Sequence, residues 1–213
     1  PTNKDDIELA RGFLNKAIEI DDDLVDAKNL MGTILSSKSD FEKALSYFNS
    51  ALEKSKQLKY RKGEADSYLN ISKYYSRKEN LETSKLNIDK ALEIYEEQND
   101  KDGIGRAYIV YATHYWKKND LETAVEYDKK SLALYEELGD LEGVAINLCG
   151  IGIYYSDILK DYEGALANYE RAQNIFEENG YKRHMPYSLN NIVAIRLKTG
   201  NYSSAISHLK KLS

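Results

Sequence analysis

The sequence predicts an all-α fold, a solenoid of antiparallel helix pairs with about eleven helices. Three observations support this prediction. Similar segments recur at a fixed spacing, apolar residues recur within them at steps of three and four, and only 2 prolines occur in 213 residues. A period of this size is typical of stacked helix pairs. The step of three and four indicates one apolar face on each helix, and proline, which would interrupt long helices, is nearly absent.

The repeated segments align with one another along most of the chain. One copy begins at Asp6, and the next begins 34 residues later. The following intervals are 40, 40, 41 and 40 residues. The one extra residue falls between Tyr155 and Asp161, where we predict a slack turn at Ser156–Lys160. The five later copies begin at Asp40, Asn80, Asp120, Asp161 and Asn201.

Each period is predicted to contain a helix, a turn and a second helix. In the unit 81–119, apolar and small residues recur from Leu81 to Tyr95 and again from Ile104 to Tyr115. Asp120 is well placed to cap the next helix, since its side chain can accept a hydrogen bond from the first turn. Gly139 and Gly180 are natural residues for helix ends, because glycine adopts the left-handed conformation without strain.

Extending this pattern predicts one array of helices over residues 1–213. Because the chain starts with a helix of the second type and also ends with one, we expect it to be a fragment of a larger protein. The array consists of a half repeat at 6–21 and helix pairs at about 24–57, 61–98, 103–138, 142–178 and 183–212.

Composition and motifs argue against several classes of function. The formal net charge is −5, whereas nucleic-acid-binding modules usually have a basic excess. Cys149 is the single cysteine, and neither it nor the three histidines show metal-ligand spacing. The sequence has no phosphate-binding glycine loop and no run of 18 apolar residues. We therefore expect a cytoplasmic protein that is not an enzyme, binds no metal or cofactor, and contacts neither nucleic acid nor membrane.

The residues at fixed positions of the period resemble the tetratricopeptide repeat. Small residues are needed where two helix backbones cross closely. The 40-residue period is longer than the usual 34 and is similar to repeats of bacterial regulators, sensor kinases and motor adaptors. The small positions are Gly32, Ser72, Ala112 and Gly152 in first helices, and Ala10, Ala44, Ser84, Ala124, Ala165 and Ala205 in second helices.

The resemblance implies a right-handed superhelix in which the first helix of each pair lines a concave groove. It also implies that this groove holds a peptide, a helix or a neighbouring domain. Basic side chains there can receive the carboxylates of a partner with acidic groups, and amides can bond the backbone of an extended peptide. The predicted partner-binding residues are Asn29, Asn70, Lys73, Arg77, Arg106, Thr113, Trp116, Lys117, Asn190 and Asn191.

Other interpretations of the same residues stay open. The basic side chains also suit a solvated face with local ion pairs, and Trp116 suits either a binding hot spot or packing between helices. The whole chain also suits a regulatory sensor segment of a larger signalling protein. Apolar end helices favour a self-associating structural module, a homodimer through those helices.

Asp128 departs most clearly from the repeat pattern. It stands where the other copies carry an apolar or aromatic residue, and a buried carboxylate without a partner would be costly. We expect Asp128 either to be solvated or to accept a hydrogen bond from a donor such as His114 or a tyrosine.

Overall fold

The computed structural model describes residues 4–209, and side chains from residue 7 onward. This part of the chain forms eleven α-helices and no strand, which confirms the all-α class and the helix number. Residues 210–212 of the last predicted helix pair lie outside the described residues. The helices are α1 (Lys4–Ile20), α2 (Val25–Ser37), α3 (Phe41–Gln57), α4 (Arg61–Arg77), α5 (Leu81–Glu97), α6 (Lys101–Lys117), α7 (Leu121–Leu138), α8 (Leu141–Tyr154), α9 (Tyr162–Asn179), α10 (Met185–Lys198) and α11 (Tyr202–Leu209).

The chain divides into two compact units between His114 and Tyr115, inside α6. In the first unit, residues 4–114, helices α1 to α5 pack in chain order, and α2 also lies beside α4. In the second unit, residues 115–209, helices α7 to α11 pack in the same sequential way. The grouping of all residues 1–213 into one array stays a prediction.

From Ser39 onward, the turns between helices repeat every 20 residues, twice as often as the sequence repeat, with one interval of 21 residues between Gly139 and Lys160. At each of these turns, one residue adopts a left-handed backbone conformation with φ between 53° and 76°. Gly139 and Gly180 occupy this position, as predicted. Most of the other positions carry residues with a side chain, for which this conformation is less favourable. The full set is Ser39, Lys59, Glu79, Asn99, Asn119, Gly139, Lys160, Gly180 and Gly200.

Short polar side chains begin several helices immediately after these turns. The Asp120 carboxylate accepts a hydrogen bond of 3.2 Å from the Thr123 backbone N–H, which confirms the predicted cap. Asn80, Asp140 and Asp161 form the same contact with the third residue that follows, at 2.9 to 3.1 Å. Each cap satisfies a backbone donor that has no partner within the helix.

The extra residue of the 41-residue interval lies in a π-helical turn at Tyr155–Leu159, which continues α8. The Asp161 N–H therefore bonds the Tyr155 carbonyl, six residues earlier, at 3.0 Å. At the corresponding place in the preceding copy, the Asp120 N–H bonds the Tyr115 carbonyl, five residues earlier. The predicted slack turn at Ser156–Lys160 was wrong, because the helix absorbs the residue by widening one turn.

Small residues bring paired helices into close contact, as the repeat pattern predicts. The ring of Phe48 occupies the space that a Cβ on Gly32 would need. In the first unit the Ser84 hydroxyl donates to the Ser72 carbonyl at 2.9 Å, so α5 touches the backbone of α4. In the second unit the Tyr169 ring covers Gly152. The small residues of these first helices therefore face the second helix of the same pair.

Candidate functional site

The first unit contains a cluster of charged and polar side chains that joins α4, α5 and α6. Asp66 on α4 accepts a hydrogen bond of 2.6 Å from the hydroxyl of the buried Tyr95 on α5. The same carboxylate forms an ion pair with the Arg106 guanidinium on α6, at 2.9 Å. Arg106 also bonds Asp102 at 3.0 Å and stacks 5.3 Å above the Tyr95 ring. Arg106 is thus held in a fixed position, and Asp66 offsets its charge.

Lys73 lies two turns after Asp66 on α4 and is exposed. No described residue of the first unit forms an ion pair with it. Surrounding protein atoms replace part of the bulk water and lower the pKa of Lys73 to about 8; Arg106 also lowers this pKa, and Asp66 opposes the change. Lys73 is therefore a cation placed to gain from an external carboxylate.

The two predicted arginines of the first unit have different surroundings. Arg77, at the end of α4, lies 5.4 Å from the centre of the Phe41 ring on α3, a favourable contact between a cation and an aromatic face. Arg106 forms the ion pairs described above. Lys73 is therefore the predicted basic residue of this unit that is left for a partner.

Two of the predicted amides bond each other within the first unit. The Asn29 amide of α2 donates to the Ser67 hydroxyl of α4 at 3.0 Å, and Asn29 is only 7% exposed. The Asn70 amide donates to the Asn29 carbonyl at 3.4 Å, and Asn70 is half-buried. In this structure Asn29 joins α2 to α4, whereas Asn70 still reaches the surface.

The remaining predicted residues lie on the exposed side of their helices. The Thr113 hydroxyl bonds the Ile109 carbonyl of its own helix at 3.0 Å. In the second unit Trp116 is 51% exposed, and Lys117 and Asn190 are exposed. The Asn191 amide donates to the Tyr187 carbonyl at 2.9 Å. The role of these five residues in binding stays a prediction.

Asp128 on α7 lies against Gly150 of α8 in the second unit. A Cβ placed on Gly150 would lie 2.3 Å from Asp128 Oδ2, so the carboxylate occupies the space of a missing side chain. No described residue of the second unit donates a hydrogen bond to Asp128 or forms an ion pair with it. Desolvation therefore raises the pKa of Asp128 to about 7.

Two titratable groups near Asp128 keep their protons at physiological pH. Cys149 on α8 is buried, and burial together with the charge of Asp128 raises the pKa of its thiol to about 12. Tyr187 on α10 is 49% exposed. Burial raises the pKa of Tyr187 to about 12, with smaller contributions from Cys149, Asp128 and Asp157. Cys149 and Tyr187 therefore stay protonated at a pH where Asp128 can ionise.

Asp66 and Tyr95 are not among the ten predicted partner-binding residues, and the sequence marked Asp128 only as an irregularity. The seven-residue step from Asp66 to Lys73, which puts both on one side of α4, was a usable signal. The contact between Gly150 and Asp128 gave no such signal in the sequence, because the two residues belong to different helices.

Two kinds of feature do not occur in residues 4–209. No group of three or more histidine, cysteine, aspartate or glutamate side chains is arranged to hold a metal ion. No α-helix in this part of the chain combines the length and the apolar character that a membrane crossing requires.

The sequence matches the family model of the tetratricopeptide repeat at residues 23–97 and 103–178. The two matches together cover more than half of the chain. No curated protein matches the sequence significantly.

Several solved structures share the fold at low sequence identity. A signal transduction ATPase with a tetratricopeptide repeat sensor, from Pyrococcus horikoshii, is 21% identical, with a TM-score of 0.78 over 96% of this chain and 30% of its own. A Rap protein complexed with Competence and Sporulation Factor is 19% identical, with a TM-score of 0.76 over 88% of this chain and 52% of its own. BtubC from P. vanneervenii is 19% identical, with a TM-score of 0.72 over 96% of this chain and 86% of its own.

Proposed function

The chain belongs to the tetratricopeptide repeat family, and on that premise we propose that it is a protein-interaction module that holds an extended peptide of a partner along its first helices. Stacked helix pairs of this kind offer long binding surfaces. The peptide crosses α4 and α6 in the first unit, and it carries an acidic residue.

The observation that carries this proposal is Lys73 beside the fixed Asp66–Arg106 pair. A lysine without an ion pair and with less water around it gains more from an incoming carboxylate than a fully solvated lysine does. Arg106 keeps its ion pairs with Asp66 and Asp102, so Lys73 is the cation of this cluster that an incoming carboxylate can pair with. Asn70, half-buried on the same helix, is placed to bond the peptide backbone.

Two similar proteins favour a sensing role for such an interaction. One is a Rap protein complexed with Competence and Sporulation Factor, and the other is a signal transduction ATPase with a tetratricopeptide repeat sensor. Our chain spans about half of the first and about a third of the second. In this proposal the chain senses a peptide for a larger signalling protein.

The test is a set of acetylated, amidated hexapeptide mixtures, each with one position fixed as Asp, Asn, Lys or norleucine. Binding to the full chain is measured by competition against a fluorescent mixture. We expect the wild type to prefer Asp over Asn at one position by roughly tenfold, the size of a charge-assisted hydrogen bond. The Lys73→Gln variant should lose most of this preference.

Lys43→Gln is the matched control, since Lys43 is an exposed lysine on α3, a second helix. It should keep the preference for Asp. A wild type that binds none of the mixtures, or a Lys73→Gln variant with the same preference as the wild type, contradicts the proposal.

Self-association is a second candidate, favoured by the end helices. Phe13 on α1 is 64% exposed and Ile206 on α11 is 54% exposed, and each has further exposed apolar neighbours on its helix. Sedimentation velocity at increasing concentration tests it. A dimer that disappears in Phe13→Ser or Ile206→Ser supports this function, and a monomer at every concentration excludes it.

A further inference from the structure

Asp128 occupies a position that the rest of the repeat reserves for the core. The corresponding residues of the other second helices include Phe48, Ile88 and Tyr169, all buried. Phe48 and Tyr169 cover a glycine of their own helix pair. The Asp128 carboxylate instead meets Gly150 on α8, the first helix of the next pair. Asp128 therefore does not replace the missing ring; it points to a different place.

At that place, two of the other four first helices carry an amide. Gly150 comes two residues before the small residue Gly152, and the equivalent residues are Asn70 on α4, Asn191 on α10, Leu30 on α2 and Val110 on α6. Both amides are only partly buried. Because Gly150 has no side chain, Asp128 of the neighbouring helix α7 reaches the surface of α8 at this point. Through this opening, the carboxylate of Asp128 takes the place of a surface side chain.

The surroundings of Asp128 supply no positive charge. Cys149 on α8 and Tyr187 on α10 keep their protons at neutral pH, and Asp157 after α8 is a further acid. The ammonium of Lys198 on α10 lies 5.0 Å from the centre of the Tyr162 ring and forms no ion pair with Asp128. An ionised Asp128 is therefore only partly solvated and has no counter-ion within the second unit.

We propose that Asp128, reached through the gap at Gly150, binds the side chain of an arginine or a lysine of a peptide partner. This inference rests on the proposed function, because a peptide partner supplies the cation. An incoming ammonium or guanidinium gains a carboxylate with little competing water. An apolar side chain would leave the carboxylate unpaired.

The experiment uses the same hexapeptide mixtures with one position fixed as Arg, Lys, citrulline or norleucine. Citrulline has the shape of arginine without its charge. We expect the wild type to prefer Arg or Lys over citrulline by roughly tenfold at one position. Asp128→Asn keeps the shape of the side chain and should remove the preference. Asp157→Asn, the control on a neighbouring exposed acid, should change it less than twofold.

A second measurement keeps the test independent of any change in folding. Protons compete with a cation for Asp128, so the preference of the wild type for Arg should fall between pH 8 and pH 5.5. In Asp128→Asn the ratio of binding between the Arg and citrulline mixtures should not depend on pH over this range. A preference for Arg that survives in Asp128→Asn, or that is absent in the wild type, overturns the inference.

The two proposals can fail separately. If no mixture binds, the proposed function fails and this inference fails with it. If Asp-containing mixtures bind in a way that depends on Lys73 but no preference for Arg or Lys is seen, the inference alone fails. Lys73→Gln should remove the preference for Asp and leave the preference for Arg intact.

Discussion

The candidate sites of the two compact units differ in the sign of the charge that has no partner. In residues 4–114, Asp66 is bonded by Arg106 and Tyr95, whereas the cation Lys73 has no ion pair. In residues 115–209, the unpartnered group is the acid Asp128, and its neighbours Cys149 and Tyr187 are neutral. The same repeated scaffold therefore presents opposite charges in its two parts.

This difference shows how little sequence change a repeat needs to alter its chemistry. Asp66 and Lys73 are ordinary surface positions on α4, made special by a neighbour on α6. Asp128 is a core position whose role changed because a glycine on α8 made room for it. In both units the decisive contact joins adjacent helix pairs, so it is specific to one place in the array.

The largest expected effect comes from removing the acid that organises the first unit. Asp66→Ala leaves the Tyr95 hydroxyl and the Arg106 guanidinium without their carboxylate. We expect a loss of about 2–3 kcal/mol in the free energy of unfolding, measured by urea denaturation. Asp102→Ala removes only a more exposed partner of Arg106 and should cost less than 1 kcal/mol. Equal losses in the two variants would show that Asp66 is not the centre of the cluster.

Asp128 should behave in the opposite way, because its charge destabilises the folded chain. Its pKa is raised from 3.8 to about 7, so the unfolded chain releases this proton first as the pH rises. The folded state therefore loses stability between about pH 4 and pH 7. Asp128→Asn should be more stable than the wild type by roughly 2 kcal/mol at pH 8 and by much less at pH 4. Thermal melts at both pH values measure this; a destabilised variant at pH 8 would contradict it.

The two units should also bind with opposite dependence on pH. Lys73 loses its proton as the pH passes about 8, so binding of an Asp-containing peptide should weaken roughly fivefold to tenfold between pH 7 and pH 9.5. Fluorescence competition across this range gives the curve. The Lys73→Gln variant should give a flat profile. A wild-type curve without a change near pH 8 would remove Lys73 from the site.

The smallest expected effect concerns the turns, where the units differ again. The left-handed residues of the first unit all have side chains, whereas three of the five in the second unit are glycine. Glu79→Gly should stabilise the chain by about 0.5–1 kcal/mol, and Gly139→Ala should destabilise it by about 1 kcal/mol. A Cβ on Gly139 meets no neighbour, so only the backbone conformation contributes. Urea denaturation with no change in either variant would contradict this account.

The sequence predicted the helices better than the site. Apolar spacing and caps such as Asp120 are local signals, so the eleven helices could be predicted. Left-handed turns at residues such as Glu79 could not, because they lack glycine. The side chains of Asn29 and Arg106 were predicted to face a partner, but helix periodicity gives only a direction. Their bonds to Ser67 and Asp66 depend on how the neighbouring helix is placed. The binding role of the ten predicted residues stays a prediction.

The π-helical turn at Tyr155–Leu159 has a consequence for how such a gene can change. A codon inserted into most helices would rotate every later side chain by about 100° and move the apolar face out of the core. Here the widened turn takes up the additional residue, and the Asp161 cap still begins the next helix. After this turn, the helices follow the same repeat pattern as in the earlier copies. This stretch is thus a natural place to add or delete a single amino acid, for evolution and for protein engineers alike.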